Sequence, residues 1–380
     1  MIVGKERDRK SMKKIGIITF HNAHNYGACL QAYALQQYLK SMGNDVKIID
    51  YDSEIKKHYN LIIPVFRKNI VKYIMQLIYN IRYYKTRKRR YDVFQTFISQ
   101  YLELSNQHYK TERQLKKNFP LYDYYICGSD QIWNIDLVGK LSDIFTLNFG
   151  SSNIKKISYA ASIGKSKFML NEKILYQRKL SHLDEISVRE PEAQILLKKI
   201  LKRNISLVVD PVFLLEKKEW IKFTRNSILI KEKYILVYSV IKSKNLIQIV
   251  NYISNITGYG VITFENEKFD NKIKDVNDAS PLKFVQLIQK AEIIVSNSFH
   301  ALAFALIFQK KFWIIPHNQT NSRIDNLLDL TNNKDRLIQN VEDIMKKNPL
   351  QPLKGTLAET RMQLELLKSQ KYLKQSLEME

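Results

Sequence analysis

The sequence predicts an α/β fold of two Rossmann-like domains, each with a parallel sheet, that face each other across a cleft. Short apolar runs alternate with amphipathic helices in both halves of the chain, as expected for parallel strands covered by helices. A length of 380 residues exceeds what one hydrophobic core usually supports, which favours two domains. We place the domains at 14–206 and 207–350, and expect a C-terminal helix within 351–380 to pack back against them.

The first strand–helix–strand unit begins near the N-terminus. An apolar run at Lys14–Phe20 predicts a central strand, Cys29–Met42 a helix with one apolar face, and Val46–Tyr51 the next strand. The loop after the first strand contains Asn25 and Gly27, at the sheet edge where ligands bind in open α/β folds. Because the loop lacks the G-x-G-x-x-G pattern, we predict no dinucleotide site there.

A second polar cluster follows an apolar strand that begins at Tyr124. Gly128 permits close approach of the backbone, and an aromatic ring among short polar side chains is typical of sugar sites. A turn closed by side-chain hydrogen bonds, with a core tryptophan, is the alternative. We interpret the cluster as a candidate acceptor site. Its members are Ser129, Asp130, Gln131, Trp133 and Asn134.

Arg189 lies where a predicted strand, Ile186–Val188, meets a helix with Pro191 in its first turn. Proline is favoured at that position, and the free amides of a first turn attract anions. A guanidinium at this junction could hold a carboxylate or phosphate through two hydrogen bonds. A surface ion pair with Glu190 or Glu192 is the alternative explanation.

The C-terminal half repeats the alternation. Ser280 and Pro281 form a favoured start for a helix, and the tail Leu357–Met379 predicts a long amphipathic helix. The other predicted elements are strands Tyr234–Val240, Gly260–Phe264, Ile293–Val295 and Phe312–Pro316, and helices Asn245–Ile256, Leu282–Lys290 and Ile324–Leu330, the last opened by Arg323.

His300 is the candidate catalytic residue. It follows the buried strand Ile293–Val295 and precedes an apolar helix, so it occupies the sheet edge where α/β proteins bind ligands. Imidazole titrates near neutral pH, which suits a general acid or base. A core histidine beneath a loop is the alternative, but the adjacent Ser296, Asn297 and Ser298 favour a functional site.

The net charge of +24 would attract polyanions or anionic membranes, unless it reflects compositional drift alone. Arg67–Arg90 is strongly basic and includes the amphipathic segment Ile70–Tyr84. Contact with an anionic membrane or charged glycan is one prediction, and a solvated face is the other. No pattern resembles a nucleic-acid-binding module. Two distant cysteines, no signal peptide and no membrane-spanning run predict a cytoplasmic protein, with a peripheral position at the membrane as an option.

Several short motifs follow one another along roughly 14–330. They are Asn25-Tyr-Gly-Ala-Cys-Leu-Gln-Ala-Tyr-Ala-Leu35, Gly128-Ser-Asp-Gln-Ile-Trp-Asn134, Ser187-Val-Arg-Glu190, Asp210-Pro211, Ser298-Phe-His300 and Arg323-Ile324. In their order and spacing the chain resembles the polysaccharide pyruvyl transferase family. The resemblance implies a GT-B-like pair of domains and transfer of pyruvate from phosphoenolpyruvate onto a sugar as a cyclic ketal.

The resemblance also implies roles for the candidate residues. Phosphoenolpyruvate carries a carboxylate and a phosphate, so Arg189 and Arg323 would bind this donor, with Ser187 and Ser298 beside it. His300 would serve as general acid and base. The candidate residues of the two N-terminal loops would hold the acceptor, a glycan or a lipid-linked oligosaccharide. We expect no metal, and no cofactor apart from the donor substrate.

The chain departs from the family pattern beside His300. Many members carry an arginine where this chain has Ser298, so one cation is missing from the expected donor site, and Asn297 stands where an acidic residue is common. Two alternatives remain. One is a GT-B-like nucleotide-sugar glycosyltransferase, although no clear ribose-binding carboxylate occupies the usual strand end. The other is a non-catalytic glycan-binding protein.

Overall fold

The computed structural model describes residues 12–53, 56, 59, 61–64, 69–151, 153–225, 230–241, 243–264, 267–316 and 321–378. Within these residues the chain forms two five-stranded parallel sheets, each flanked by helices, which confirms the predicted fold class. Two residues of the predictions above, Arg67 and Met379, lie outside the described residues.

The N-terminal half alternates strands with helices around its sheet. Its elements are β1 (Lys14–Ile18), α1 (Tyr26–Ser41), β2 (Asp45–Tyr51), α2 (Ile70–Arg82), α3 (Tyr84–Tyr101), β3 (Leu104–Tyr109), α4 (Glu112–Lys117), β4 (Tyr124–Cys127), α5 (Ile135–Val138), β5 (Lys155–Ser158), α6 (Leu170–Leu180), β6 (Ser187–Val188), α7 (Pro191–Leu201) and β7 (Ser206–Leu207). The strand order is β3-β2-β1-β4-β5, all parallel. The parallel pair β6 and β7 continues beyond β5 through single bridges.

The C-terminal half repeats this arrangement. Its elements are α8 (Lys217–Phe223), β8 (Tyr234–Tyr238), α9 (Lys244–Thr257), β9 (Gly260–Thr263), β10 (Lys272–Asp275), α10 (Pro281–Lys290), β11 (Ile293–Ser296), α11 (Phe299–Ile307), β12 (Lys311–Ile314), α12 (Asn321–Leu330), α13 (Val341–Met345) and α14 (Arg361–Ser376). The strand order is β10-β9-β8-β11-β12, again all parallel. The strands β8 and β11 at the middle of this sheet are fully buried because helices cover both faces of the sheet.

Two helices join the halves. In α1, Tyr26 stacks on Phe284 of α10 with ring centroids 4.6 Å apart, and its hydroxyl donates to the carbonyl of Ala279. The last helix, α14, returns to the first sheet, where the Tyr372 hydroxyl donates to the Ser158 carbonyl over 2.8 Å. The two sheets therefore share one continuous core beside the cleft, although the residue at which one domain ends stays a prediction.

Candidate active site

His300 lies where the two halves meet. The strand β11 ends at Ser296, Ser298 caps α11 by accepting a hydrogen bond from the amide of Ala301, and His300 is the second residue of that helix. Its Nε2 lies 3.5 Å from Oδ2 of Asp210, an ion-pair distance but long for a hydrogen bond. His300 is largely buried and faces a carboxylate, an arrangement that can fix the orientation of an imidazole.

Gly27 brings the first helix of the N-terminal half directly against His300. A Cβ added at Gly27 would overlap the imidazole ring, and the three atoms nearest to it would all be ring atoms of His300. The side chain of Asn25 fixes this turn by accepting a hydrogen bond from the amide of Ala28. Asn25 therefore acts as the N-cap of α1, and Gly27 provides the space that the ring of His300 fills.

Asp210 is a residue of this site that was not predicted from the sequence. It belongs to one of the short motifs above, but no role was assigned to it. Its buried carboxylate pairs with Nη1 of Arg189 and faces His300, and it also accepts a hydrogen bond from the amide of Val212. Burial alone would raise the pKa of Asp210, but His300 and Arg189 hold it well below its usual range. The sequence does contain one sign of this role: Asp210 is a single acidic residue in the apolar run Leu207–Leu214, and a buried acid usually has a specific partner.

Two arginines share one aromatic ring. The guanidinium carbon of Arg189 lies 5.0 Å from the centroid of Phe299, and that of Arg323 lies 5.8 Å from it. Burial and the positive charge of Arg189 lower the pKa of Arg323 to about 10, so Arg323 remains charged at neutral pH. Burial opposes the charge of Arg189 too, but Asp210 and Glu190 raise its pKa. The site thus holds two fixed cations side by side.

Two further carboxylates border this pair of cations. Glu190 is buried, accepts a hydrogen bond from the hydroxyl of Ser162, and lies 3.8 Å from Nε of Arg323. Asp130 lies 3.9 Å from Nη2 of Arg189 and comes from the loop after β4. Residues from the ends of four separate strands therefore converge on one place, as expected for a ligand site in an open α/β fold.

Several buried polar atoms of this centre have no hydrogen-bond partner among the described residues. They are Nε and Nη2 of Arg189, Oε2 of Glu190 and Nε2 of His300. An unpaired buried polar group costs free energy, about 1–3 kcal/mol each and more when charged. Arg189 and His300 both face Asp210, and Glu190 follows Arg189 in the chain. Unpaired atoms on three such neighbouring residues are a property expected of a site that binds a ligand with both hydrogen-bond acceptors and donors.

The structure separates the predicted acceptor residues of the loop after β4. Trp133 is completely buried and its indole N–H donates to the carbonyl of Phe145, so the prediction that it offers a flat face to a sugar was wrong. Ser129 is buried as well. Gln131 and Asn134 bond to each other over 2.6 Å within the loop. Of these five side chains, only that of Asp130 lies close to Arg189. We call the cluster of Arg189, Arg323, Asp210, Glu190 and His300 the arginine centre.

Ser187 likewise holds the backbone together rather than facing the centre. Its hydroxyl donates to the carbonyl of Ser158 and accepts from the amide of Ala160, which joins β6 to β5. Ser298 has the capping role described above. The structure thus gives each hydroxyl a structural role and brings Arg189, Arg323 and His300 together.

A groove of about 850 Å³ lies at the same carboxyl edge of the first sheet, beside the ends of β2 and β3. No local sequence pattern reveals this groove, because its lining comes from segments far apart in the chain. It combines tyrosine rings with cations, among them Tyr51, Tyr59, Tyr84, Tyr91, Lys110 and Arg113. His24 also lines the groove, three residues before Gly27, so its Cα lies at most about 11 Å from that of Gly27.

The two parallel sheets, with a polar centre at their facing carboxyl edges, place the protein in the GT-B-like class of two-domain α/β proteins. The model of the polysaccharide pyruvyl transferase family matches residues 25–319. The chain belongs to this family. The matched region includes Asp130, Arg189, Asp210 and His300, whereas Arg323 lies just beyond it. No curated protein matches the chain.

Solved structures share the fold at low sequence identity. UDP-N-acetylglucosamine 2-epimerase from Rickettsia bellii has a TM-score of 0.52 and 11% identity, with 97% of this chain and 96% of that chain covered. The Methanocaldococcus jannaschii UDP-GlcNAc 2-epimerase in complex with UDP-GlcNAc and UDP has a TM-score of 0.51 and 14% identity, over 94% and 99%. The co-structure of S. aureus MnaA with UDP has a TM-score of 0.54 and 10% identity, with 97% of this chain and 98% of that chain covered. At such identities the likeness concerns the fold alone.

Proposed function

We propose that this protein transfers pyruvate from phosphoenolpyruvate onto two hydroxyls of a cell-surface glycan, or of its lipid-linked precursor, as a cyclic ketal. The observation that carries the proposal is the pair of buried cations, Arg189 and Arg323, with unpaired N–H groups on Arg189 beside His300. A small donor with a carboxylate and a phosphate satisfies such groups, because guanidinium binds both through paired hydrogen bonds.

Arg189 and Arg323 have complementary environments in this proposal. Arg189 already shares its charge with Asp210, so its free Nε and Nη2 would orient one anionic group of the donor. Among the described residues, the carboxylate nearest to Arg323 is that of Glu190 at 3.8 Å, and the lowered pKa of Arg323 reflects burial and the neighbouring Arg189. A bound anion between the two guanidiniums would relieve that repulsion. Arg323 would then be the second cation of the donor site, which lacks a further cation at Ser298.

His300 would donate and accept protons during the reaction. In its protonated form it would donate a proton to the methylene carbon of phosphoenolpyruvate, which leaves an oxocarbenium-like carbon for a sugar hydroxyl to attack. The neutral imidazole would then take the proton that this hydroxyl loses. When the carbon–oxygen bond to phosphate breaks, a second hydroxyl attacks the same carbon and gives up its proton to phosphate or to Glu190, whose Oε2 is unpaired. Asp210 would hold the imidazole in position through both proton transfers.

The acceptor glycan would lie along the carboxyl edge of the first sheet. Asp130 offers a carboxylate at the arginine centre, and the groove beside His24 offers tyrosine rings for sugar faces. The short separation of His24 and Gly27 would let one short oligosaccharide reach from the groove to His300. A lipid-linked acceptor and contact with a membrane surface are part of this proposal, as is the expectation that no resident metal or cofactor is needed.

Two variants test the proposed roles. Replacement of His300 by alanine should lower kcat for phosphate release from phosphoenolpyruvate while donor binding is kept, because the residue acts in the chemical step. Replacement of Arg323 by alanine should instead mainly raise KM for the donor. A matched control is Arg361→Ala, which removes an exposed arginine outside the centre. Equal effects of all three changes on both constants would contradict the assignment.

A further inference from the structure

The outward half of α2 is apolar and exposed. Helical residues advance by 100° each, so a side chain that recurs every three or four positions stays on one face. Six apolar residues of this face are between 47% and 65% exposed: Ile70, Val71, Ile74, Met75, Ile78 and Ile81. A continuous apolar face of this kind marks an interaction surface, because soluble proteins rarely leave one uncovered.

The opposite side of α2 attaches it to the protein. Asn80 is buried, and its amide donates to the carbonyl of Ile62 over 2.9 Å, while Tyr73 is half-buried on the same side. The exposed face therefore does not result from a detached helix. It is held outward by contacts on the inner side.

The charge around α2 indicates what covers this face. Residues 55–91 contain eleven lysines and arginines and no aspartate or glutamate. Arg82, Lys85 and Arg89 are exposed at the junction of α2 and α3. Arg90, in contrast, turns inward and donates to the hydroxyl of Tyr26 and the carbonyl of Asn277, so the prediction that the whole basic stretch faces a membrane was wrong for this residue.

A second copy of the chain fits this surface poorly. Two molecules that met through α2 would bring their basic segments together, and each molecule carries a net charge of +24. An anionic lipid surface offers the complementary charge and, beneath it, an apolar layer. Among the described residues, no helix is long and apolar enough to cross a membrane, so any contact made by α2 would be with one leaflet.

We propose that α2 lies in the plane of an anionic membrane surface, with Ile70, Ile74, Ile78 and their neighbours among the acyl chains and the exposed cations at the headgroups. This arrangement combines the two signals that stable peripheral binding needs, apolar burial and electrostatic attraction. The inference concerns a surface separate from the arginine centre and does not depend on which reaction that centre catalyses.

Vesicle sedimentation of the full chain tests the inference, without donor or acceptor. We expect binding to vesicles of equal parts phosphatidylglycerol and phosphatidylcholine, and little binding to phosphatidylcholine alone. Ile78→Glu should weaken binding about tenfold or more, since it places a charge on the inserted face. The matched control is Ile174→Glu in α6, which makes the same change at a residue that is also 60% exposed and should bind as the wild type does.

The outcomes separate the alternatives. Vesicle binding that Ile78→Glu leaves unchanged would overturn the proposal, as would equal losses in Ile78→Glu and the control. A wild-type dimer that Ile78→Glu converts to a monomer, with no vesicle binding by either, would show that a second copy covers the face and would also overturn it. Melting temperatures of both variants verify that the exposed substitutions leave the fold intact.

Discussion

The contact between Gly27 and His300 makes a quantitative prediction. In Gly27→Ala the new methyl group would overlap the imidazole, so either the ring or α1 must shift. Overpacking of this kind costs about 1–3 kcal/mol, whereas alanine in place of glycine in a helix gains up to about 1 kcal/mol. The free energy of unfolding should therefore fall by up to about 3 kcal/mol. Turnover should fall further, because the shifted ring would lose its alignment with Asp210.

A double-mutant cycle isolates this contact. In a His300→Ala background the ring is absent, so Gly27→Ala should become neutral or stabilising by up to about 1 kcal/mol. Urea unfolding of the four proteins then gives the coupling between the two positions, which we expect to be about 1–3 kcal/mol. A coupling within about 0.5 kcal/mol of zero would refute the reasoning, because the methyl group would then meet something other than His300.

The other predictions concern buried charge and pH. Asp210→Asn should lower the free energy of unfolding in urea by about 3–5 kcal/mol, because Arg189 would keep its buried charge without its partner; a loss below about 1 kcal/mol would contradict this. Burial, with Arg90 and Lys56 nearby, lowers the pKa of His24 to about 4. Because the folded state disfavours protonation of His24, the neutral side chain contributes roughly 3 kcal/mol to the free energy of unfolding above pH ~6.5. This contribution is lost as the pH falls towards 4. In His24→Gln this part of the acid-induced loss should disappear, and an unchanged pH profile would contradict the assignment.

The sequence predicted the architecture well because the inner strands of a parallel sheet are almost continuously apolar. It missed β3, whose residues are mostly polar because the strand lies at the edge of its sheet. It also began α1 three residues late, at Cys29, because nothing in the apolar pattern reveals that Asn25 caps the helix. The apolar pattern along the chain indicates which residues are buried on the faces of a sheet, but it does not identify edge strands or helix caps.

Positions at strand ends indicated the candidate site residues, but the sequence did not indicate the direction in which each side chain points. His300, Arg189 and Arg323 were singled out because each lies where a strand or loop meets a helix, and the structure brings them together. Trp133 has the same kind of position, but its side chain points into the core. Asp210 could not be assigned a role from sequence, since its partners Arg189 and His300 are 21 and 90 positions away along the chain.

The central claim is that the paired arginines bind phosphoenolpyruvate. We would titrate the purified protein with phosphoenolpyruvate and, separately, with UDP, and follow the melting temperature, which a ligand of the folded state raises. Phosphoenolpyruvate should raise the melting temperature, and this rise should be lost in Arg323→Ala and kept in Arg361→Ala. A rise with UDP alone would contradict it and favour a nucleotide-sugar glycosyltransferase.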